Sequence, residues 1–127
     1  MKIAFDIHGT LDAEPALRGM ADLLAQDANN TIYIISGPRR DRIIRRLRKL
    51  GMNPDKFVIV SIVDYLEAKG VEFVDDERGN PFCNEEIWWQ SKGDICREYD
   101  IEVIIDDSIR YAPNMPATTT FLLNSVI

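Results

Sequence analysis

Histidine occurs once in this sequence, at His8, and cysteine twice, at Cys83 and Cys96. That is too few soft ligands for a structural zinc centre, and the cysteines lack CxxC spacing. Nothing else in the chain suggests secretion, so two reduced thiols are expected rather than a disulfide framework. No apolar run approaches the ~20 residues that span a bilayer, so no membrane association is expected. The stretch Met1-Lys2-Ile3-Ala4-Phe5-Asp6 meets an acid too early for a signal peptide. A cytoplasmic location is the expectation. Repeats, low-complexity segments and linkers are also missing, which leaves one domain over 1–127.

What is present fits a globular domain. Apolar residues make up 46% and charged residues 28%, a balance that can bury a core without staples. The net charge of −6 is unevenly spread. Seven of the fifteen cations fall between Arg39 and Lys49, against one acid, Asp41. A charge run of this kind is most often a solvated helix face.

Apolar periodicity places the elements. Lys2–Ile7 reads as a buried strand ending in acid, and 16–28 as a helix with Leu17, Met20, Leu23 and Leu24 at helical spacing. Thr31–Ile35 is a second strand. Ser36-Gly37-Pro38 opens a helix whose buried face is Ile43, Leu47 and Leu50 and whose end is Gly51. Phe57–Val60 is a third strand, followed by a short helix from Ser61 to Lys69. The segment 71–90 reads as a small flap or hairpin insertion, with a turn at Glu77-Arg78-Gly79-Asn80. Ser91-Lys92-Gly93-Asp94 has the capping-box pattern, which predicts a helix start at Lys92. Glu102–Asp106 and Thr118–Leu123 complete five strands.

This alternation predicts an α/β fold: a three-layer, Rossmann-like parallel sheet with helices on both faces. Ligands in such sheets bind beyond the carboxyl ends of the strands. Asp6, Ser36 and the Asp106-Asp107 pair stand at three such ends, and Lys92 leads into the fourth strand, so these groups are expected to share one crevice.

Asp6-Ile7-His8-Gly9-Thr10, Ile34-Ile35-Ser36-Gly37, and Lys92 followed by Ile104-Ile105-Asp106-Asp107-Ser108 together resemble the motifs of the haloacid dehalogenase superfamily of phosphotransferases. Order and spacing agree from Lys2 to about Asn124. The resemblance implies a Mg²⁺-dependent phosphatase of small, capless or minimal-cap type. Asp6 would be the nucleophile, forming an aspartyl-phosphate. Asp6, Asp106, Asp107 and the backbone carbonyl of His8 would hold Mg²⁺, with Asp107 the direct ligand of the acidic pair. Ser36, Gly37 and Lys92 would bind the phosphate, with backbone N–H groups around Gly9 adding to the cradle. Mg²⁺ belongs in such a site because a carboxylate must approach an already anionic phosphoryl group.

The sequence departs from the family pattern at His8, where an acid/base aspartate is usual. Imidazole can exchange protons near neutrality. Three readings stay open: a working acid/base, an aspartyl-phosphate that turns over slowly, and a degenerate site that binds phosphate or metal without catalysis. Asp12 reads as a cap or turn residue. Arg110 and Tyr111 stand where many members carry a further acid.

Little chain is left for a substrate-covering cap. A phosphorylated small molecule such as a nucleotide, a nucleic acid 3′-phosphate end, or a homo-oligomeric or other protein partner that completes the site would each fit. Arg39 and Arg40 are expected near extra phosphates. Trp88 and Trp89 are read either as core or as a surface on which a base stacks. A response-regulator receiver is disfavoured, because its acidic pair belongs at the first strand and its lysine after the last.

Overall fold

A computed structural model describes residues 1–125. The strands are β1 (Lys2–Phe5), β2 (Thr31–Ser36), β3 (Val58–Ser61), the two-residue β4 (Val74–Asp75) and β5 (Pro81–Phe82), β6 (Val103–Asp106) and β7 (Thr120–Leu123). The helices are α1 (Pro15–Ala25), α2 (Arg40–Lys49), α3 (Ile62–Ala68) and α4 (Glu85–Tyr99). Five strands form one parallel sheet in the order β3-β2-β1-β6-β7.

The strands read as continuous apolar runs because both faces of the sheet are covered. Successive side chains point to opposite faces. Phe5 and Ile34 join a cluster with Ala21 of α1 and with Ile43 and Leu47 of α2. Their neighbours Ala4 and Ile35 join the opposite cluster, with Ile62 and Leu66 of α3 and Ile95 of α4. The result is the expected three-layer α/β arrangement. Among the described residues no helix is long and apolar enough to cross a membrane. Cys83 and Cys96 are free and buried, and burial pushes the Cys96 thiol up to about 12, which makes it a poor nucleophile at neutral pH.

From β1 the chain winds outward through β2 and β3, then returns to the other side of β1 as β6. The direction of winding reverses between β1 and β6, which makes their carboxyl ends the switch point of the sheet.

Two sequence expectations change. The capping box at Ser91 is not used, and α4 starts two turns earlier. Asn84 caps it, its side chain accepting the N–H groups of Glu86 (2.9 Å) and Ile87 (3.3 Å). Glu85 and Glu86 in the first turn complement the helix dipole. Ser91 is buried mid-helix, and its hydroxyl donates to the Trp88 carbonyl. The insertion read over 71–90 shrinks accordingly. Val74–Asp75 and Pro81–Phe82 pair as a small antiparallel hairpin, while Trp88 and Trp89 belong to α4. Gly93 lets α4 approach the turn 109–114, because a Cβ there would fall 2.1 Å from the Asn114 carbonyl oxygen.

Candidate active site

Asp6 and Asp106 end adjacent parallel strands in register. Phe5 pairs with Ile105, and the Asp6 N–H donates to the Ile105 carbonyl at 3.0 Å. Strand spacing alone brings the two carboxylates close together. Two buried like charges need a counter-charge, and α4 supplies it. Lys92 is 1% exposed, its Nζ lying 3.0 Å from Asp6 Oδ1 and hydrogen-bonding Asp106 Oδ2. The Tyr111 ring covers the ammonium, with its centroid 4.5 Å away. The other oxygen of Asp106, Oδ1, accepts the Ser108 N–H at 2.9 Å. Asp107 completes the cluster, and ligand oxygens of Asp6, Asp106 and Asp107 all lie within 4.8 Å of one another.

Burial is the largest single influence on the titration of Asp6 and Lys92. It pushes the Asp6 carboxyl up to about 7 against the pull of Lys92, with the Asp106 charge and a hydrogen bond to Asp107 adding to the rise. Burial favours loss of the Lys92 proton. The charges of Asp6 and Asp106 outweigh it and hold the ammonium above the ordinary lysine value.

The turn after β1 is wide, closed by the Leu11 N–H on the Asp6 carbonyl (3.3 Å) and the Asp12 N–H on the Ile7 carbonyl (3.1 Å). Gly9 takes φ +79°, and a Cβ there would fall 2.1 Å from Asp107 Oδ2, so glycine is what admits Asp107 to the cluster. Expected to lend its N–H to a phosphate, Gly9 gives it instead to Asp12 Oδ1 at 2.8 Å. Its carbonyl accepts from Asn124 Nδ2 at 3.0 Å. Asp12 is thus a turn residue, as expected, but it does more. Its Oδ2 lies 3.3 Å from His8 Nδ1 and 3.3 Å from Arg46 Nη2. The His8 side chain is 96% exposed.

Ser36 is buried at the end of β2 and does not cap α2. That helix begins at Arg40, whose N–H donates to Asp64 Oδ2 at 3.0 Å. Gly37 lies under Trp88, whose ring a Cβ at Gly37 would approach to 3.1 Å.

Asp6, His8, Ser36, Gly37, Lys92, Asp106 and Asp107 all line one cleft of about 860 Å³, within the usual range for small-ligand sites. Arg39 and Arg40 do not. Arg39 pairs with Asp64 and Glu67, and Arg40 donates to the Ile59 carbonyl at 3.1 Å. The carboxylates of α3 hold the first turn of α2 and turn Arg39 away, while the β3 carbonyl holds the Arg40 guanidinium. The cations of α2 that line the cleft are Arg42, Arg45, Arg46 and Lys49, a set recognisable in the sequence from its i, i+3, i+4, i+7 spacing. Tyr111 lines the cleft as well. Its position just after the acidic pair was the available signal, but only the missing acid stood out there. Comparison with family models, with curated proteins and with solved structures gives no match for this chain.

Proposed function

We propose that this chain is a Mg²⁺-dependent phosphomonoesterase in which Asp6 attacks phosphorus, acting on nucleotides or on nucleic acid 3′-phosphate ends. The observation that carries the reading is the buried Lys92 ammonium held between Asp6 and Asp106 at the switch point, with Asp107 alongside. The motif resemblance to the haloacid dehalogenase superfamily supports it. The donor set fits a hard divalent cation. The oxygens are carboxylate, and three acids against one lysine leave two negative charges. Asp106 already uses both oxygens in hydrogen bonds, so Asp107 and Asp6 are the carboxylates free to ligate, and the motif resemblance adds the His8 carbonyl. When bound, Mg²⁺ offsets the repulsion between Asp6 and the phosphoryl oxygens.

The chain's own groups supply the rest. An Asp6 oxygen forms a bond to phosphorus as the ester P–O bond breaks, and His8 gives a proton to the departing oxygen. Water then attacks phosphorus, His8 takes its proton, and the Asp6–phosphorus bond breaks to release inorganic phosphate. Lys92 and the Ser36 hydroxyl steady the transferred group.

The test is phosphate release from a panel of nucleotides and 3′-phosphorylated oligonucleotides with Mg²⁺. Turnover that stops with chelator and in Asp6→Asn is expected. A second reading, binding without turnover, is favoured by the exposure of the His8 imidazole. Mg²⁺ binding with no release from any substrate would establish that reading instead.

Gly9→Ala is expected to displace Asp107. The rise in melting temperature on adding millimolar Mg²⁺ should be largely lost, and an undiminished rise would show that Asp107 is not a ligand.

Asp6 gives a pH signature. Its folded value of about 7 lies above its unfolded value of 3.8. Its ionisation therefore counts against the metal-free fold, and this contribution to stability falls as pH rises from about 4 to about 7. A cation needs the ionised form, so Mg²⁺ affinity is expected to weaken about tenfold per pH unit below 7. Calorimetric titration at several pH values checks it, and a flat affinity from pH 5.5 to 8 would remove Asp6 from the ligand set.

A further inference from the structure

Besides the acids and Lys92, the cleft has a lining of different character. Arg42, Arg45, Arg46 and Lys49 of α2 line it together with Trp88 and Trp89 of α4. The four cations occupy one face of the helix over two turns, about 10 Å along its axis. Ile43 and Leu47, on the adjoining face, are buried in the core and fix that orientation. Arg46 pairs with Asp12 and Arg45 with its exposed helix neighbour Asp41. Arg42 and Lys49 have no carboxylate partner among the described residues.

The two indoles are held in place from behind. Trp89 meets the Tyr111 ring edge-on at 4.8 Å and Trp88 meets Phe73 at 6.4 Å. Arg110 stands over Trp89 at 5.1 Å. Both indoles are partly exposed rather than sealed in the core. An anchored, half-open aromatic surface loses little freedom when a ligand lands on it.

We infer that the cleft is a track for one nucleic-acid strand, its sugar–phosphate backbone on the cationic face of α2 and its bases against Trp88 and Trp89. The stripe together with two indoles selects a strand over a mononucleotide. Phosphates of a stacked strand follow one another at ~3.4 Å of axial rise, so the stripe faces about three. A nucleoside triphosphate could lay its phosphates on the stripe, but it carries a single base and cannot place bases on both Trp88 and Trp89. Aromatic rings beside a cationic groove are the combination that binds single strands, since every base has a face to stack. Outside residues 39–49 acids outnumber cations twenty to eight, which confines an anionic strand to this path. That the strand's phosphorylated end reaches Asp6 rests on the proposed reaction; binding of the strand does not.

The experiment separates the two. Fluorescein-labelled oligothymidylates of two to eight nucleotides with 3′-hydroxyl ends are titrated with the unmodified protein without Mg²⁺, and anisotropy is read at several salt concentrations. Affinity is expected to rise with length to about four nucleotides. The plot of log affinity against log salt should have a slope near −2, at about 0.7 per phosphate neutralised. Tryptophan fluorescence should be quenched on binding. In Arg42→Gln/Lys49→Gln, affinity should fall at least tenfold and the slope should shrink by about 1.4. Lys56→Gln, outside the cleft, serves as the control for general charge and should match the parent.

Affinity independent of length, a double variant that matches the parent, unlabelled nucleoside triphosphate competing as well as the strand, or a duplex binding as tightly as the single strand would each overturn the inference. Strand binding without phosphate release in the panel would sink the phosphatase reading alone. Phosphate release from mononucleotides without strand binding would sink this inference alone.

Discussion

Lys92→Met is expected to destabilise the fold by about 3–5 kcal/mol, the usual consequence of removing one partner from a buried ion pair. Nearly all of the Lys92 side chain is enclosed, and its ammonium is the counter-charge placed between Asp6 and Asp106. Methionine fills similar space but leaves two buried carboxylates facing each other. They must then take up protons or draw in water. Two consequences identify the mechanism. The loss should shrink as pH falls, because protonation of the carboxyls removes the repulsion. It should also be partly recovered in Lys92→Met/Asp106→Asn, which removes one of the stranded charges. Chemical denaturation from pH 5 to 8 measures both. A uniform loss across that range, with no recovery in the double variant, would mean that Lys92 matters for its packing and not for its charge.

The largest kinetic effect is expected at His8. His8→Ala should lower turnover of an alkyl phosphate by ~10²–10⁴, the range for removal of a general acid/base. An aryl phosphate with a good leaving group should lose much less, since its departure needs no proton. Asp12 faces Nδ1 of the imidazole, which leaves Nε2 for the substrate. Asp12→Asn should therefore alter the pH–rate profile in the parent but not in His8→Ala. His8→Asp should keep or raise the rate, because it restores the residue usual in the family that these motifs resemble. Full activity of His8→Ala on the poor leaving group would reduce His8 to its backbone carbonyl. Activity that appears only in His8→Asp would identify the native site as degenerate.

The groups that meet at the switch point were legible because each is fixed by strand geometry. Asp6, Ser36 and Asp106 follow apolar runs that can only be buried strands, and parallel strands present their carboxyl ends on one edge. What was not legible depends on contacts distant in sequence. Arg39 and Arg40 looked closest to the site because they begin α2, yet Asp64 and Glu67 on α3 draw Arg39 aside and the Ile59 carbonyl of β3 takes the Arg40 guanidinium. Ser91 matched a capping pattern, but Asn84 offered an earlier cap, and packing of Ile95 and Cys96 on the sheet drew the longer helix into register. The Gly9 N–H looked available until Asp12 folded back on it. In each case a side chain chose between partners of similar local merit, and tertiary packing decided.

The position of β1 at the centre of the sheet also governs how the molecule comes into being. Of the strands in this sheet, the first to be made is one that needs a neighbour on each side. It can pair with β2 early, but its other edge stays open until residues 103–106 have been made. Over that interval Asp6 has neither Lys92 nor Asp106 beside it, and an apolar strand presents unpaired N–H and C=O groups to any other chain. Asn124 comes later still, tying the Asp6–Asp12 turn through the Gly9 carbonyl while its own N–H donates to the Asp106 carbonyl at 2.7 Å. The sheet therefore stays incomplete until residues 103–106 and 120–123 have been made. Folding dominated by such distant pairings is slow and exposed to aggregation, so soluble yield should respond to synthesis temperature more steeply than the stability of the finished fold would suggest.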